Sequence, residues 1–365
     1  MFNPKIIFIC DTRDFHSMDW FTVVNSISPK NSIYLASDIY ENNLNIKSNK
    51  DYNFIKLFNI NSVISDEHSR ISDLWRNIIK LLITPYQVFL LRNLKKKYPN
   101  VIFHAHSMYY IFLCWLANLK FIATPMGSDV LVRPDESFIY KFFTIKSLKS
   151  AYLISVDSIN LKNKIRILSK QDCLLIQNGI DSKEIEQFVK PTIKREGVVS
   201  IRGFYPNYQI EKVISSRDLI NPKPAIKFVY PFFDEKYRNE LLQSFQSFDL
   251  NIGRLNKSDL YKLLSSTLLV VSVPISDSSP RSVYEAIFCG CCVAVTKSPW
   301  VDTLPKCMAD RVVVIQDDNP YWLKDAINVA REITSHDFIP SNEALINFDQ
   351  FHSMKYVCKN IYKTI

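Results

Sequence analysis

Short doubly apolar runs alternate with helix-period stretches along almost the whole chain. The runs KIIFIC (5–10), SIYLAS (32–37), YNFIKLF (52–58), VIFHA (101–105), KFIAT (120–124) and AYLIS (151–155) predict one series of strands. Amphipathic segments such as Arg70–Lys97 and Asp135–Lys149 lie between several of them. The pattern restarts with GVVSIR (197–202), AIKFVY (225–230), LLVVSVPIS (268–276) and CCVAVT (291–296). Strands that are apolar on both sides suit parallel sheets covered by helices on both faces. The chain is therefore expected to be α/β and doubly wound, twice over. The polar, Pro-containing stretch 188–197 is the expected hinge, and 340–365 reads as helical with no strand after it.

Composition narrows the picture. At 365 residues, two domains of ordinary size are expected, and 47% hydrophobic content supplies real cores. Net charge is +9, from 45 Lys and Arg against 36 Asp and Glu, which suits an anionic partner: a nucleotide, a phospholipid surface or a nucleic acid. No nucleic-acid module or aromatic-basic repeat stands out, so nucleic acid is not expected. The apolar run at 5–10 is too short for a signal-peptide core and meets Asp11, Arg13 and Asp14 at once. The longest apolar stretch is broken by Lys80 and Pro85, so no membrane span is expected. That places the protein in the cytoplasm, with the inner face of the cytoplasmic membrane within reach.

The eight cysteines include the cluster Cys289-Gly-Cys-Cys292, yet they sit in apolar surroundings without paired C-x2-C spacing or nearby histidines. They read as small hydrophobes, with no metal site. Only six glycines occur, all at strand–helix junctions or the hinge, where a doubly wound sheet lines its ligand crevice or simply turns.

The densest chemistry is SDSSPRSVYEAIFCGCCVAV (276–295). A strand leads into Ser279-Pro280, expected as N-cap and first helical residue, then a helix closed by Gly290. The amides of residues 281–283 and the helix dipole favour an anion there. Arg281 opposes that dipole unless a phosphate is bound; otherwise it is a solvated surface cation. Asp277 and Glu285 are each suited to accept hydrogen bonds from sugar hydroxyls in one crevice, with no other acid close enough for a metal pair.

The D-x7-E spacing followed by AIFCGCCVAV resembles the E-x7-E element of retaining GT-B glycosyltransferases, especially glycosyltransferase family four. HAHSMYY (104–110), KFIATPMGSDVL (120–131), LLIQNGID (174–181) and VVSIRGFYPNYQIEKVI (198–214) are similar to that family's other segments, in order. The resemblance runs over about residues 101–300. It implies two Rossmann-like domains facing a central cleft: 1–190 on the acceptor side, 191–340 on the donor side, and 341–365 crossing back. It implies that Glu285 binds the ribose hydroxyls of a nucleotide-sugar donor, Asp277 holds the transferred sugar, and Arg202 neutralises the diphosphate. Arg281 and Ser282 would add phosphate or sugar contacts. No cofactor or metal is implied, and the acceptor is a lipid-linked or oligosaccharide glycan of a bacterial surface polysaccharide.

Three departures shape the expectations. Asp277 replaces the usual Glu. The second phosphate-binding Lys has no counterpart: Tyr208 falls near its place, and Lys212 is the closest cation. Met126 stands where a His linked to catalysis is expected, leaving His106 or Asp129 to cover that role. His104 and His106 read equally as satisfied junction residues. The basic amphipathic helices Arg70–Lys97 and Tyr140–Lys149 either lie on anionic lipid or present a solvated basic face. A sugar-nucleotide epimerase and a catalytically silent binding homologue are the competing readings.

Overall fold

The computed structural model describes residues 5–38, 52–57, 70–189 and 194–363, with residues 70–77 described by backbone alone. Contacts group the chain into two compact units, Met1–Asn178 with Gln350–Ile365, and Gly179–Asp349.

The first unit carries strands β1 (Ile6–Ile9), β2 (Ile33–Ser37), β3 (Asn53–Lys56), β4 (Ile102–His106), β5 (Phe121–Thr124), β6 (Leu153–Val156) and β7 (Leu174–Leu175). They pair in parallel in the order β3-β2-β1-β4-β5-β6-β7. Both faces are apolar, and each is sealed by helices. Helices Arg70–Lys97, Met108–Leu116, Phe138–Ser150 and Ile159–Ser169 send Leu91, Leu113, Leu148 and Leu161 into one core with Phe103 and Phe121. On the other face, helices Phe15–Ile27 and Gln350–Tyr356 bury Trp20 and Met354 against Phe8.

The second unit repeats the plan with β8 (Glu196–Ser200), β9 (Ile226–Val229), β10 (Leu250–Gly253), β11 (Thr267–Ser272), β12 (Cys292–Val295) and β13 (Val312–Val314). The order β10-β9-β8-β11-β12-β13 is again wholly parallel. Tyr261, Leu264 and Ile287 from helices Lys257–Ser265 and Arg281–Phe288 cover one face; Val213 and Leu323 from helices Ile210–Asp218 and Trp322–Ile333 cover the other.

The predicted strands are all present, and β7, β10 and β13 add to them. They lie at sheet edges, and β10 exposes Leu250 and Asn251, so the doubly apolar signature is missing there. The division between units falls at Asn178/Gly179, ahead of the boundary expected at 190/191. Ile180 donates its amide to Phe348 (2.8 Å), and Ile185 is part of the second unit's core. The terminal stretch likewise divides: helix Asn342–Phe348 belongs with the second unit, and only Gln350 onward with the first. All eight cysteines are free thiols, seven of them buried; burial pushes those of Cys291 and Cys292 up to about 12, as inert hydrophobes require.

An unusual polar contact anchors the second sheet. Arg217, at the end of helix Ile210–Asp218, has no exposed side-chain surface and is ion-paired with the equally buried Asp249. Asp249 also accepts the amides of Ile226 (3.0 Å) and Gln246 (2.9 Å), holding the entrances to β9 and β10. Removing one partner strands a charge in the core, so Arg217→Ala is expected to destabilise the chain by about 3–5 kcal/mol. Denaturant unfolding checks this, and a loss under about 1 kcal/mol would contradict it.

Candidate active site

In the second sheet, strand order reverses between β8 and β11, and connections leave toward opposite edges from these two neighbours. A crevice therefore opens beyond their C-terminal ends. Arg202 emerges two residues after β8, Ser272 closes β11, and Asp277 follows in the next loop. The three meet: Arg202 Nε donates to Ser272 Oγ (2.6 Å), and Nη2 to Asp277 Oδ2 (2.6 Å). The Arg202 and Asp277 side chains are only 11% and 18% exposed. The guanidinium is thus aimed by two directed bonds, and its rigid planar fork holds its remaining donors in a fixed direction, as a rotatable ammonium would not. The Tyr208 ring lies 5.6 Å from Arg202 Cζ. Gly203 is needed beside it, because a Cβ there would meet the Phe232 ring at 2.1 Å.

The loop bearing Asp277 is held on both sides. Ile275 donates its amide to Asn207 (2.7 Å), Asn207 Nδ2 reaches Ser276 O (3.1 Å), and Ser298 Oγ reaches Asp277 O (3.3 Å). Together the ends of β8, β11 and β12 line a small open pocket of about 20 Å³, with Arg202, Ser272, Asp277, Lys297, Ser298 and Trp300 among its walls.

The helix Arg281–Phe288 begins beside this pocket, with a cap different from the expected one. Pro280 is the N-cap residue, and the amides of Arg281 and Val283 turn back to Ser279 O (3.0 Å) and Pro280 O (2.9 Å). Two of the three amides expected to face an anion are thereby occupied. The C-terminal end follows expectation: Gly290 has φ +86°, Cys291 N reaches Ala286 O (3.0 Å), and Gly290 N reaches Ile287 O (2.8 Å). Those two bonds close a Schellman turn, which needs the left-handed residue that glycine supplies.

Glu285 is buried in the middle of the helix. Its Oε1 accepts from Tyr261 Oη (3.0 Å) and lies 3.7 Å from Arg281 Nε, one turn earlier. Burial, followed by the Glu285 charge, raises the Tyr261 phenol far above its ordinary range, so it remains a donor to the carboxylate. Glu285 is not among the residues lining the Arg202 pocket, so the two acids of the motif have separate polar settings. Ser282 is half-buried on the first helical turn.

The other expected residues have structural partners. Lys212 pairs with Asp317 (2.5 Å) and is not among the pocket's lining residues. Lys297 and Ser298, which sequence reasoning passed over, are. The available signal was the strand-end rule itself: residues just past β12, next to β11, face the same crevice.

Asp129 and His106 belong to the first unit. Asp129 Oδ2 accepts the Met108 amide (3.0 Å), the first of helix Met108–Leu116, and Oδ1 pairs with Arg133 (3.2 Å). It caps a helix whose own N-cap residue, Ser107, makes no side-chain cap bond. His106 is 2% exposed, packed among Phe8, Trp20 and His104, with Nδ1 3.2 Å from Ser17 Oγ. His104 joins a buried chain of hydroxyls, touching Tyr362 through Nδ1 and Thr124 Oγ1 (2.7 Å) through Nε2. Of the two roles open to these histidines, the geometry supports the packed junction.

Neither a family model nor a curated protein sequence matches the chain. Solved structures do match. The chain is similar to HepE (Alr3699) of Anabaena in complex with UDP and glucose, with TM-score 0.71 and 12% identity over 99% of this chain and 100% of that one. Sucrose-phosphate synthase of Thermosynechococcus elongatus matches with TM-score 0.70 and 13% identity over 98% of both chains. A proposed UDP-N-acetylglucosamine 2-epimerase of Listeria monocytogenes matches with TM-score 0.60 and 12% identity over 100% and 98%. The chain thus has the α/β architecture of GT-B proteins, as the motif resemblance implied.

Burial holds His104 down to about 3, and burial followed by the charge of His104 holds His106 well below 6.5. Both are neutral in the folded chain, whereas the unfolded chain takes up their protons near pH 6.5. Their contribution is full above about pH 6.5 and is lost as pH falls toward 3, by about 2 kcal/mol per histidine between pH 6.5 and 5. Urea unfolding across that interval is expected to show this slope, about halved in His104→Leu; equal slopes would contradict the assignment.

Proposed function

We propose that the chain is a glycosyltransferase moving a sugar from a nucleotide-sugar donor to an oligosaccharide or lipid-linked glycan acceptor, in bacterial surface polysaccharide synthesis, with retention at the anomeric carbon. The observation that carries this reading is the Arg202–Ser272–Asp277 cluster at the strand-order reversal of the second sheet. A buried, aimed guanidinium is matched to a diphosphate, and a carboxylate beside it to the hydroxyls of the attached sugar. The similar HepE structure holds UDP and glucose, the two halves of such a donor.

In this reading Arg202 neutralises the diphosphate as the bond from anomeric carbon to phosphate oxygen breaks and the electron pair leaves with phosphate. Lys297, rather than Lys212, supplies the second cation. Asp277 positions sugar hydroxyls, and Glu285, oriented by Tyr261 and flanked by Arg281 and Ser282, takes the ribose hydroxyls. The acceptor oxygen bonds to the same face of the sugar, and its proton passes to the departing phosphate. No buried histidine is needed for that transfer, in keeping with the packed setting of His106. The retaining outcome, the family-four assignment and the acceptor rest on the motif resemblance.

A thermal-shift screen across nucleotide sugars is expected to find one that stabilises the chain, with the shift lost in Arg202→Ala and Glu285→Ala. Lys297→Ala is expected to weaken donor affinity about tenfold, and Lys212→Ala less than about twofold. The reverse ranking would return the second cation to Lys212. With the stabilising donor, sugar transfer should require an added acceptor. Epimerised product from donor alone would favour the epimerase, and no stabilisation by any donor would favour a silent homologue.

A further inference from the structure

An outer helix of an α/β layer ordinarily turns its apolar stripe inward. Helix Arg70–Lys97 does so with Ile79, Val88 and Leu91, but it carries a second stripe on the opposite side. Ile78, Leu81, Leu82, Tyr86 and Phe89 are spaced three or four residues apart, share one face, and are all exposed, Leu81 and Leu82 by 74% and 73%. Helix Phe138–Ser150, which helps cover the same sheet face, exposes Phe138 (83%), Ile139 (70%) and Phe142. The short helix Met108–Leu116 touches both: Arg92 donates to Leu116 O (2.9 Å), and Phe112 packs against Tyr140 and Phe143. The exposed apolar side chains therefore belong to one outer layer of the first unit.

The charge around them is mainly positive, the exposed acids being Asp135, which pairs with Lys164, and Glu136, both just ahead of Phe138. Residues 74–128 contain seven Lys and Arg and no Asp or Glu, and 137–156 contain Lys141, Lys146 and Lys149 with no acid. The outward stripe runs at its C-terminal end into Arg92 and Lys96, which continue the same face. Lys146 stands 5.6 Å from the Phe142 ring centre. A second protein surface would need acids somewhere to match, and two copies of this layer would set cation against cation. Exposed Leu, Phe and Tyr with a large excess of cations among them match the acyl–headgroup boundary of an anionic bilayer.

We propose that this layer is a membrane-docking surface, with Leu81, Leu82, Phe89, Phe138 and Ile139 entering the interface of an anionic lipid leaflet and the surrounding Lys and Arg meeting its headgroups. No helix among the described residues is long and apolar enough to cross a membrane, so the contact lies on the surface. The proposal stands independently of the glycosyl-transfer reading.

Co-sedimentation of the full chain with vesicles of phosphatidylcholine, with and without phosphatidylglycerol, tests it. Binding is expected only with phosphatidylglycerol, weakening as salt rises, and falling about tenfold or more in the triple variant Leu81→Ser, Leu82→Ser, Phe89→Ser. These side chains are outside the core, so circular dichroism and thermal unfolding of the variant should match wild type. Lys96→Gln with Lys97→Gln should weaken the salt dependence while leaving the stripe intact. No binding to phosphatidylglycerol vesicles, or equal binding by the folded triple variant, would overturn the proposal. So would a wild-type dimer in sedimentation that the triple variant abolishes, since the stripe would then belong to a second copy.

Discussion

Where neighbouring parallel strands send their connections to opposite edges, backbone ends and helix starts converge on a gap that no helix fills. The second unit meets this constraint between β8 and β11, and Arg202 and Asp277 stand on its two sides. Both charges are largely removed from water, so each depends on the other and on Ser272 to remain there. A ligand that brings its own negative charge can replace part of that compensation. The pair is therefore both a structural requirement of the crevice and the centre of the proposed donor site.

Several other buried or half-buried polar groups serve fixed geometry. Arg217 with Asp249 sets the strand entrances of the second sheet, Arg195 lies over Gly290 and bonds Cys289 O (2.7 Å), and Asp129 caps a helix. In the first unit the chain Tyr362–His104–Thr124–Ser155 ties the C-terminal segment to three strands. Such networks hold a single arrangement because every alternative leaves a buried group unpaired. Partial exposure and charge coexist instead in residues past strand ends, where the proposed donor site lies.

This contrast explains what was legible in the sequence. Buried parallel strands write a local signal, continuous apolar runs, and all those read from it exist. Of the edge strands, β10 lacks it because Leu250 and Asn251 meet solvent, whereas β7 and β13 carry short apolar runs, 173–176 and 312–315, that the sequence reading did not use as strands. Asp277 and Arg202 lie 75 positions apart, and both could be named because the segments that carry them resemble those of a known family. Lys212, close to Arg202 in sequence, sits on a helix and pairs with Asp317, whereas Lys297 reaches the pocket lining through sheet order. His106 and Asp129 look catalytic by residue type, but burial and capping are tertiary facts that residue type does not reveal. The N-cap shifted from Ser279 to Pro280 for a similar reason: the loop is pinned by Asn207 and Ser298, and that pinning sets where the helix begins.

Hydrogen–deuterium exchange with and without a stabilising nucleotide sugar tests the central assignment most directly. The account predicts protection concentrated just past β8, β11 and β12, in residues 201–208, 273–282 and 296–300, with the protection lost in Arg202→Ala. Protection that bypasses all three segments while the donor is demonstrably bound would contradict it.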